Sequence, residues 1–246
     1  ACRDVGQGRA KPAEILGTTL TGKAAREMQE RLYELIGWQS RQVPVMTFHA
    51  FGAELLGRYA SHIGRSVRGG LLKDSQKTLL LQQHLNRVEL EYFGPQDDVY
   101  EFVEGVVGYI GQLQNAAITA AKYSEYVAGL KTNSDDKHPS EIAEQADLAR
   151  LYTLYEEIKK ETGSYYYSDQ LTLPLEILQN RPNLAERLAQ EYKYVLVDEY
   201  QDTNAVQDAL LRTFVGPTGN IFAVGDDDQA IYGFRGAEIN NILAFA

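Results

Sequence analysis

Residues 194–204 read YVLVDEYQDTN. The apolar run Tyr194–Val197 predicts a short buried strand, and Asp198 and Glu199 follow at the point where that strand ends. In open α/β sheets, ligands bind outside the carboxyl ends of the strands. An Asp-Glu pair there can hold Mg²⁺ and orient a water molecule beside a nucleotide phosphate. The pair is also compatible with a simple strand-end turn that carries two solvated acids.

A second strand-like run favours the nucleotide site. Residues 221–224 read IFAV, and the acid-rich stretch GDDDQAIYGFRGA follows at 225–237. Two strands that end in acid-rich turns predict one shared nucleotide site, where the Gln229 amide can sense a phosphate or a water molecule. The aromatic rings and the guanidinium of Tyr232, Phe234 and Arg235 suit base stacking and phosphate contact. In isolation, such aromatic residues more often pack in a core.

Two further stretches near the N-terminus complete a pattern: TLTGKAAREM at 19–28 and TFHAF at 47–51. With DEYQD at 198–202 and the stretch at 225–237, they closely resemble, in the same order, four motifs of the UvrD/Rep-like superfamily 1 DNA helicases. These are motif Ia, the next DNA-contact motif, motif II and motif III. The resemblance runs from about residue 13 to the C-terminus and is weak across the middle. Three positions depart from the family: Leu20 stands where Phe is usual, Gly22 where Asn is usual, and Phe234 where Trp is usual.

The resemblance implies roles for individual residues. Asp198 supports the Mg²⁺ of MgATP, Glu199 polarises the attacking water, and Gln229 reads the γ-phosphate and links hydrolysis to DNA. The implied cofactors are therefore ATP and Mg²⁺. The implied partners are single-stranded DNA and DNA junctions, with DNA-repair or replication proteins. The DNA-contact residues implied by the resemblance are Thr19, Thr21, Lys23, Thr47, Phe48, His49, Tyr232, Phe234 and Arg235.

Residues 17–24, GTTLTGKA, nearly match the phosphate-binding loop G-x-x-x-x-G-K-[ST]. However, Ala24 replaces the hydroxyl residue that would ligate Mg²⁺, and the residues after it fit motif Ia far better. The family's phosphate-binding loop precedes motif Ia, and residues 6–9 lack the required Gly-Lys-Ser/Thr ending. We therefore expect a fragment, or a truncated or decayed homologue, that lacks this loop and the second motor domain and is inactive alone.

Strand and helix patterns alternate at both ends of the chain. Residues 15–19, 43–48 and 192–198 predict strands, which favours a parallel sheet with flanking helices. Between residues 71 and 162 only helices are predicted. We therefore predict an α/β, RecA-like motor domain from residues 1–70 and 165–246, with an all-helical subdomain inserted at 71–164. The predicted helices span residues 23–36, 49–63, 75–85, 98–114, 120–130 and 140–160.

The composition argues against some classes of protein. The net charge of −10, from 34 acids and 24 bases, disfavours a basic protein that binds nucleic acid non-specifically over its whole surface. It permits a local DNA-binding groove. No apolar run approaches the roughly 20 residues that span a bilayer, and no signal-peptide pattern opens the chain. The single Cys2 excludes an internal disulfide, and the four histidines lack zinc-ligand spacing. We expect a cytoplasmic, nucleoid-associated protein without a membrane partner.

The resemblance implies ATP-driven translocation along single-stranded DNA, in the 3′-to-5′ direction, with duplex unwinding in DNA repair or replication restart. One alternative is the helicase subunit of a helicase–nuclease complex that processes DNA ends. Another is a non-catalytic DNA- or protein-binding module derived from a helicase, which the missing phosphate-binding loop favours.

Overall fold

The computed structural model describes residues 10–64, 70–94, 97–132, 138–216, 219–229 and 240–243. The chain forms two compact units, Ala1–Ile63 with Asp169–Ala246, and Gly64–Ser168. The predicted division into a motor domain and an insertion stays a prediction, because compactness alone defines these units. In the described part of the chain, no helix has both the length and the apolar character needed to cross a membrane.

Four strands form a sheet in the first unit, in the order β2-β1-β5-β6, and every pairing in it is parallel. Strand β1 is buried along its whole length, as expected for a strand covered on both faces. The prediction of an α/β protein with a parallel sheet and flanking helices is confirmed. The strands of the described residues are β1 (Ile15–Thr19), β2 (Val45–Thr47), β3 (Gly70–Leu71), β4 (Ser164–Tyr165), β5 (Tyr194–Val197) and β6 (Ile221–Ala223).

All six predicted helices occur, with shifts at their ends, whereas the helices at residues 169–180, 182–191, 205–215 and 240–243 were not predicted. Helix α2 begins at Phe48, earlier than predicted, because the Thr47 hydroxyl accepts the Ala50 N–H and caps the helix. Strand β2 is correspondingly shorter than predicted. The described helices are α1 (Gly22–Ile36), α2 (Phe48–Tyr59), α3 (Asp74–Gln82), α4 (Val99–Asn115), α5 (Ala120–Thr132), α6 (Pro139–Thr162), α7 (Asp169–Asn180), α8 (Pro182–Glu191), α9 (Ala205–Val215) and α10 (Asn240–Leu243).

One layer of the first unit is built by α2, α7 and α9. The ring of Phe51 on α2 is fully buried and lies 5.6 Å from Phe214 on α9 and 5.9 Å from Tyr192. Gly52, beside it, faces α7 so closely that an added Cβ would lie 1.8 Å from the Gln170 carbonyl oxygen. Only a residue without a side chain fits there, and the absence of a side chain lets α2 pack closely against α7.

In the second unit, α3 to α6 pack around a shared apolar core. The prediction that this region is all-helical is wrong at its ends, where β3 and β4 pair in parallel. Each of these strands has only two residues, which is too short for any alternating pattern to appear in the sequence. The buried core residues of this unit are Leu81, Val103, Val106, Val107, Ile110, Leu113, Tyr123, Val127, Ala146, Ala149, Leu151, Tyr152, Leu154, Tyr155, Ile158 and Tyr166.

A fully buried carboxylate, that of Asp147 on α6, also organises the second unit. It accepts the backbone N–H groups of Glu91, Tyr92 and Phe93, at 2.8 to 3.0 Å, and an Arg150 guanidinium N–H at 2.7 Å. A buried charge is tolerated when it is paired and hydrogen-bonded in this way. The segment at residues 91–93, which has no regular structure, is therefore tied to α6.

Candidate functional site

The segments that follow β5 and β6 meet at one edge of the sheet. The Val224 N–H donates to the Val197 carbonyl at 2.8 Å, and the Tyr200 N–H donates back to the Val224 carbonyl at 2.9 Å. On the other side of β5, the Asp198 N–H donates to the Thr18 carbonyl of β1 at 3.0 Å. The backbone thus joins the two acid-rich turns that the sequence places after these strands.

The predicted catalytic carboxylates stand at this edge in different surroundings. Asp198 is half-buried, and Glu199 is exposed. Burial raises the pKa of Asp198, and the neighbouring negative charge of Glu199 raises it further. Glu199 has φ 54°, in the left-handed region that a non-glycine residue seldom occupies. Uncommon backbone conformations of this kind cluster at functional sites.

A hydrogen-bonded chain connects Glu199 with Gln229 through two residues that sequence analysis did not single out. The Gln201 amide donates to the Glu199 carboxylate at 2.6 Å, and its oxygen accepts the Asp226 N–H at 3.0 Å. The Asp226 carboxylate in turn accepts the Asp228 N–H at 3.1 Å and the Gln229 side-chain amide at 2.5 Å. The structure thus links the Asp-Glu pair to the predicted phosphate-sensing Gln229. The signal in the sequence was the position of Gln201 within DEYQD at 198–202, two residues after Glu199.

A second set of contacts anchors the turn at Tyr200–Asp202 to α9. Tyr200 is fully buried and its hydroxyl donates to the Asp208 carboxylate, which also accepts the Arg212 Nε–H. Burial raises the pKa of Tyr200, and so does the hydrogen bond to Asp208. The Asn204 side chain caps α9. These buried contacts fix the backbone on which Glu199 and Gln201 stand.

The first predicted DNA-contact stretch is divided between core and surface. Thr19 is fully buried, and no partner for its hydroxyl lies among the described residues. A DNA contact at Thr19 stays a prediction, and in this structure its side chain is not accessible to a ligand. Thr21 is exposed and its hydroxyl accepts the Ala24 N–H at 3.1 Å, so it caps α1. Lys23 is 81% exposed in its side chain and lies 3.6 Å from Glu27, one turn along the helix.

The second predicted DNA-contact stretch is divided in the same way. Thr47 caps α2, as described above, and the Phe48 ring is 1% exposed within the core. A DNA contact at Phe48 stays a prediction, and in this structure its ring is not accessible to a ligand. His49 is partly buried, and burial lowers its pKa to about 4. A neutral imidazole at His49 can exchange hydrogen bonds with a ligand but brings no positive charge near neutral pH.

The remaining predicted residues are Tyr232, Phe234 and Arg235, which lie outside the described residues. Across the described ranges, no group of three or more His, Cys, Asp or Glu side chains is assembled that could hold a metal ion.

We expect the imidazole of His49 to stay neutral between pH 5.5 and 8, because burial disfavours its charged form. In the unfolded chain, histidine titrates near pH 6.5. The imidazole of His49 is therefore protonated at a lower pH in the folded state than in the unfolded state. The free energy of unfolding that His49 contributes is lost as the pH falls from about 6.5 through about 4. An NMR titration of the ring Cε1–H signal, assigned with a His49→Gln variant, measures the pKa. A midpoint near 6.5 would show that the ring is solvated.

The whole chain is similar to a known family and to larger proteins. Residues 1–246 match the family model described as UvrD/REP helicase N-terminal domain. The ATP-dependent DNA helicase PcrA of Leuconostoc citreum is 31% identical over 95% of this chain and 29% of its own length. PcrA of Staphylococcus aureus strain Mu50 is 29% identical over 95% of this chain and 30% of its own length. The ATP-dependent DNA helicase Rep of Salmonella typhimurium is 31% identical over 93% of this chain and 31% of its own length. The chain thus spans less than a third of the length of these relatives.

Proposed function

Because the chain belongs to the UvrD/REP helicase N-terminal domain family, we propose that it serves a motor that couples ATP hydrolysis to movement along single-stranded DNA. The observation that carries this proposal is the hydrogen-bonded chain from Glu199 through Gln201 and Asp226 to Gln229. It joins a candidate hydrolytic carboxylate to a candidate phosphate sensor at the carboxyl ends of two neighbouring parallel strands, where α/β sheets bind ligands. We assign the first unit to a RecA-like motor domain and the second to its insertion.

Asp198 is the proposed Mg²⁺-supporting residue of MgATP. Burial and, after it, the like charge of Glu199 raise the pKa of the half-buried Asp198 carboxyl, and a divalent cation would offset the repulsion between the two carboxylates. When bound, Mg²⁺ neutralises charge on the β- and γ-phosphates. Glu199 then orients and deprotonates the attacking water, and Gln229 contacts the γ-phosphate through its amide.

The DNA path in this proposal runs over the same edge of the sheet, at the carboxyl ends of β1 and β2. Strands β1 and β2 are parallel neighbours, and α1 and α2 start directly after their carboxyl ends. Helix N-termini present backbone N–H groups that favour phosphates, and Thr21 and Thr47 cap these two helices. Exposed Lys23 adds a positive charge, and His49 a neutral donor. Tyr232, Phe234 and Arg235 are proposed to supply base stacking and a further phosphate contact.

The proposed direction of movement is 3′ to 5′, with unwinding of duplexes at junctions during DNA repair or replication restart. The test uses the full-length protein with MgATP. We expect ATP hydrolysis to rise when single-stranded DNA is added, and unwinding of a duplex with a 3′ tail in preference to one with a 5′ tail. Hydrolysis that does not respond to DNA would contradict the motor. DNA binding without any hydrolysis would instead favour a non-catalytic binding module.

A further inference from the structure

The side-chain amide of Gln201 is buried between a hydrogen-bond acceptor on Glu199 and a hydrogen-bond donor on Asp226. It is 1% exposed, whereas Glu199, which it contacts, is exposed. Its Nε2 faces a carboxylate, which only accepts, and its Oε1 faces the Asp226 N–H, which only donates. Both contacts hold only with the amide in this one orientation. The side chain thus has a single way to satisfy both neighbours.

We infer that Gln201 is a positioning residue, which holds the Glu199 carboxylate in its hydrolytic orientation and ties it to the turn that carries Gln229. The inference rests on the proposed function, in which Glu199 activates water. An exposed Glu side chain samples several rotamers, and a bond to a fixed, buried donor restricts them. Catalytic groups need this support, because a misplacement of about 1 Å can lower a rate by about 10²-fold.

The same amide makes the position of Glu199 depend on the turn after β6. Gln201 accepts the N–H of Asp226, while the carboxylate of Asp226 holds Gln229 and the Asp228 N–H. A shift of Gln229 that moves the Asp226 backbone would therefore act on the amide that orients Glu199. Gln201 is therefore a point at which a phosphate-sensing turn can act on the hydrolytic carboxylate.

Three substitutions separate this role from simple core packing. Gln201→Met keeps the length and the buried volume but removes both hydrogen bonds. Gln201→Glu keeps an acceptor for the Asp226 N–H but sets a second carboxylate against Glu199. Gln207→Met is the matched control, because Gln207 is an equally buried glutamine, at 2% exposure, whose side chain accepts the Asn204 N–H in the cap of α9.

The experiment measures DNA-stimulated kcat, the KM for ATP and the thermal midpoint Tm of the full-length protein and the three variants. For Gln201→Met we expect kcat to fall by about 10- to 100-fold, with KM for ATP nearly unchanged. For Gln207→Met we expect a lower Tm, because the reciprocal capping-box hydrogen bond from the Asn204 N–H is lost while the Asn204 side-chain cap remains, with kcat close to that of the wild type. Equal losses of kcat in these two variants, or a wild-type kcat in Gln201→Met, would overturn the inference.

Gln201→Glu gives a second readout that packing alone would not move. The introduced carboxyl lies against Glu199 and near Asp226, and like charges raise its pKa. Its protonated form can donate to Glu199, so we expect kcat relative to wild type to recover as the pH is lowered. The Tm deficit of this variant should shrink over the same pH range, because a carboxyl with a raised pKa destabilises the folded state only when it is charged. If Gln201→Met does not fold, the pH series of Gln201→Glu decides, and a relative kcat that does not change with pH overturns the inference.

If the wild-type protein itself hydrolyses no ATP, the motor proposal fails, and this inference falls with it. An active wild type with an equally active Gln201→Met overturns this inference alone.

Discussion

Replacing Glu199 with glutamine is expected to lower DNA-stimulated ATP hydrolysis in the full-length protein by about 10²- to 10⁴-fold, the range that general-base catalysis contributes. The amide has nearly the same shape as the carboxylate, and its oxygen can still accept the Gln201 hydrogen bond seen at 2.6 Å. It has no basicity with which to take a proton from water. Nucleotide affinity should therefore change little. Single-turnover hydrolysis and equilibrium binding of a fluorescent ATP analogue measure the two quantities separately.

The control is Glu186→Gln, which removes the same charge from an exposed position on α8. We expect this variant to hydrolyse ATP at the wild-type rate. A Glu199→Gln variant that keeps the wild-type rate would remove Glu199 from the chemistry. A variant that binds ATP much more weakly would assign Glu199 to nucleotide binding instead of water activation.

Gly52→Ala is expected to destabilise the protein by about 3 kcal/mol or more, at or beyond the upper end of the range for overpacked cores. The added Cβ would lie 1.8 Å from the carbonyl oxygen and 2.8 Å from the carbonyl carbon of Gln170. These are backbone atoms of α7, which cannot rotate away as the end of a side chain can. Helix α2 must therefore move off α7 and disturb the packing of Phe51.

The matched control is Gly57→Ala, on the same helix, where an added Cβ meets no atom within 4 Å. Alanine favours a helix over glycine by about 0.5–1 kcal/mol, so this variant should be slightly more stable than the wild type. Thermal unfolding measures both, at about 2–4 °C of Tm for each kcal/mol in a protein of this size. A Gly52→Ala variant with the wild-type Tm would mean that α2 and α7 separate at little cost.

Local patterns in the chain were enough to predict the elements that build the sheet. Strand β1 was predicted at the residues where it occurs, and β5 and β6 were each predicted within one or two residues of their ends. Strands β5 and β6 are short apolar runs, YVLV and IFA, which a sequence displays directly. The acids after them were predicted to share a site because parallel neighbours end at one edge of the sheet.

Sequence patterns did not predict which side chains are buried at the predicted DNA-contact positions. Thr19 and Phe48 lie in family motifs, yet both are buried, whereas Thr21 and Lys23 nearby are exposed. A motif names the stretch that approaches a ligand, but the strand and helix geometry decides which of its side chains face inward. The sequence also did not show that the hydroxyls of Thr21 and Thr47 each cap a helix.

The sequence by itself determined the family, the parallel α/β class, and the carboxylates Asp198 and Glu199 with Gln229 as the candidate chemistry, because these depend on residue type and order within short segments. Only the tertiary structure decided how the candidates are connected. The Gln201 amide reaches Asp226, 25 positions along the chain, and Gly52 meets Gln170 across two helices. Contacts between residues far apart in sequence arise when β5 and β6, or α2 and α7, are packed side by side, and no local periodicity encodes them.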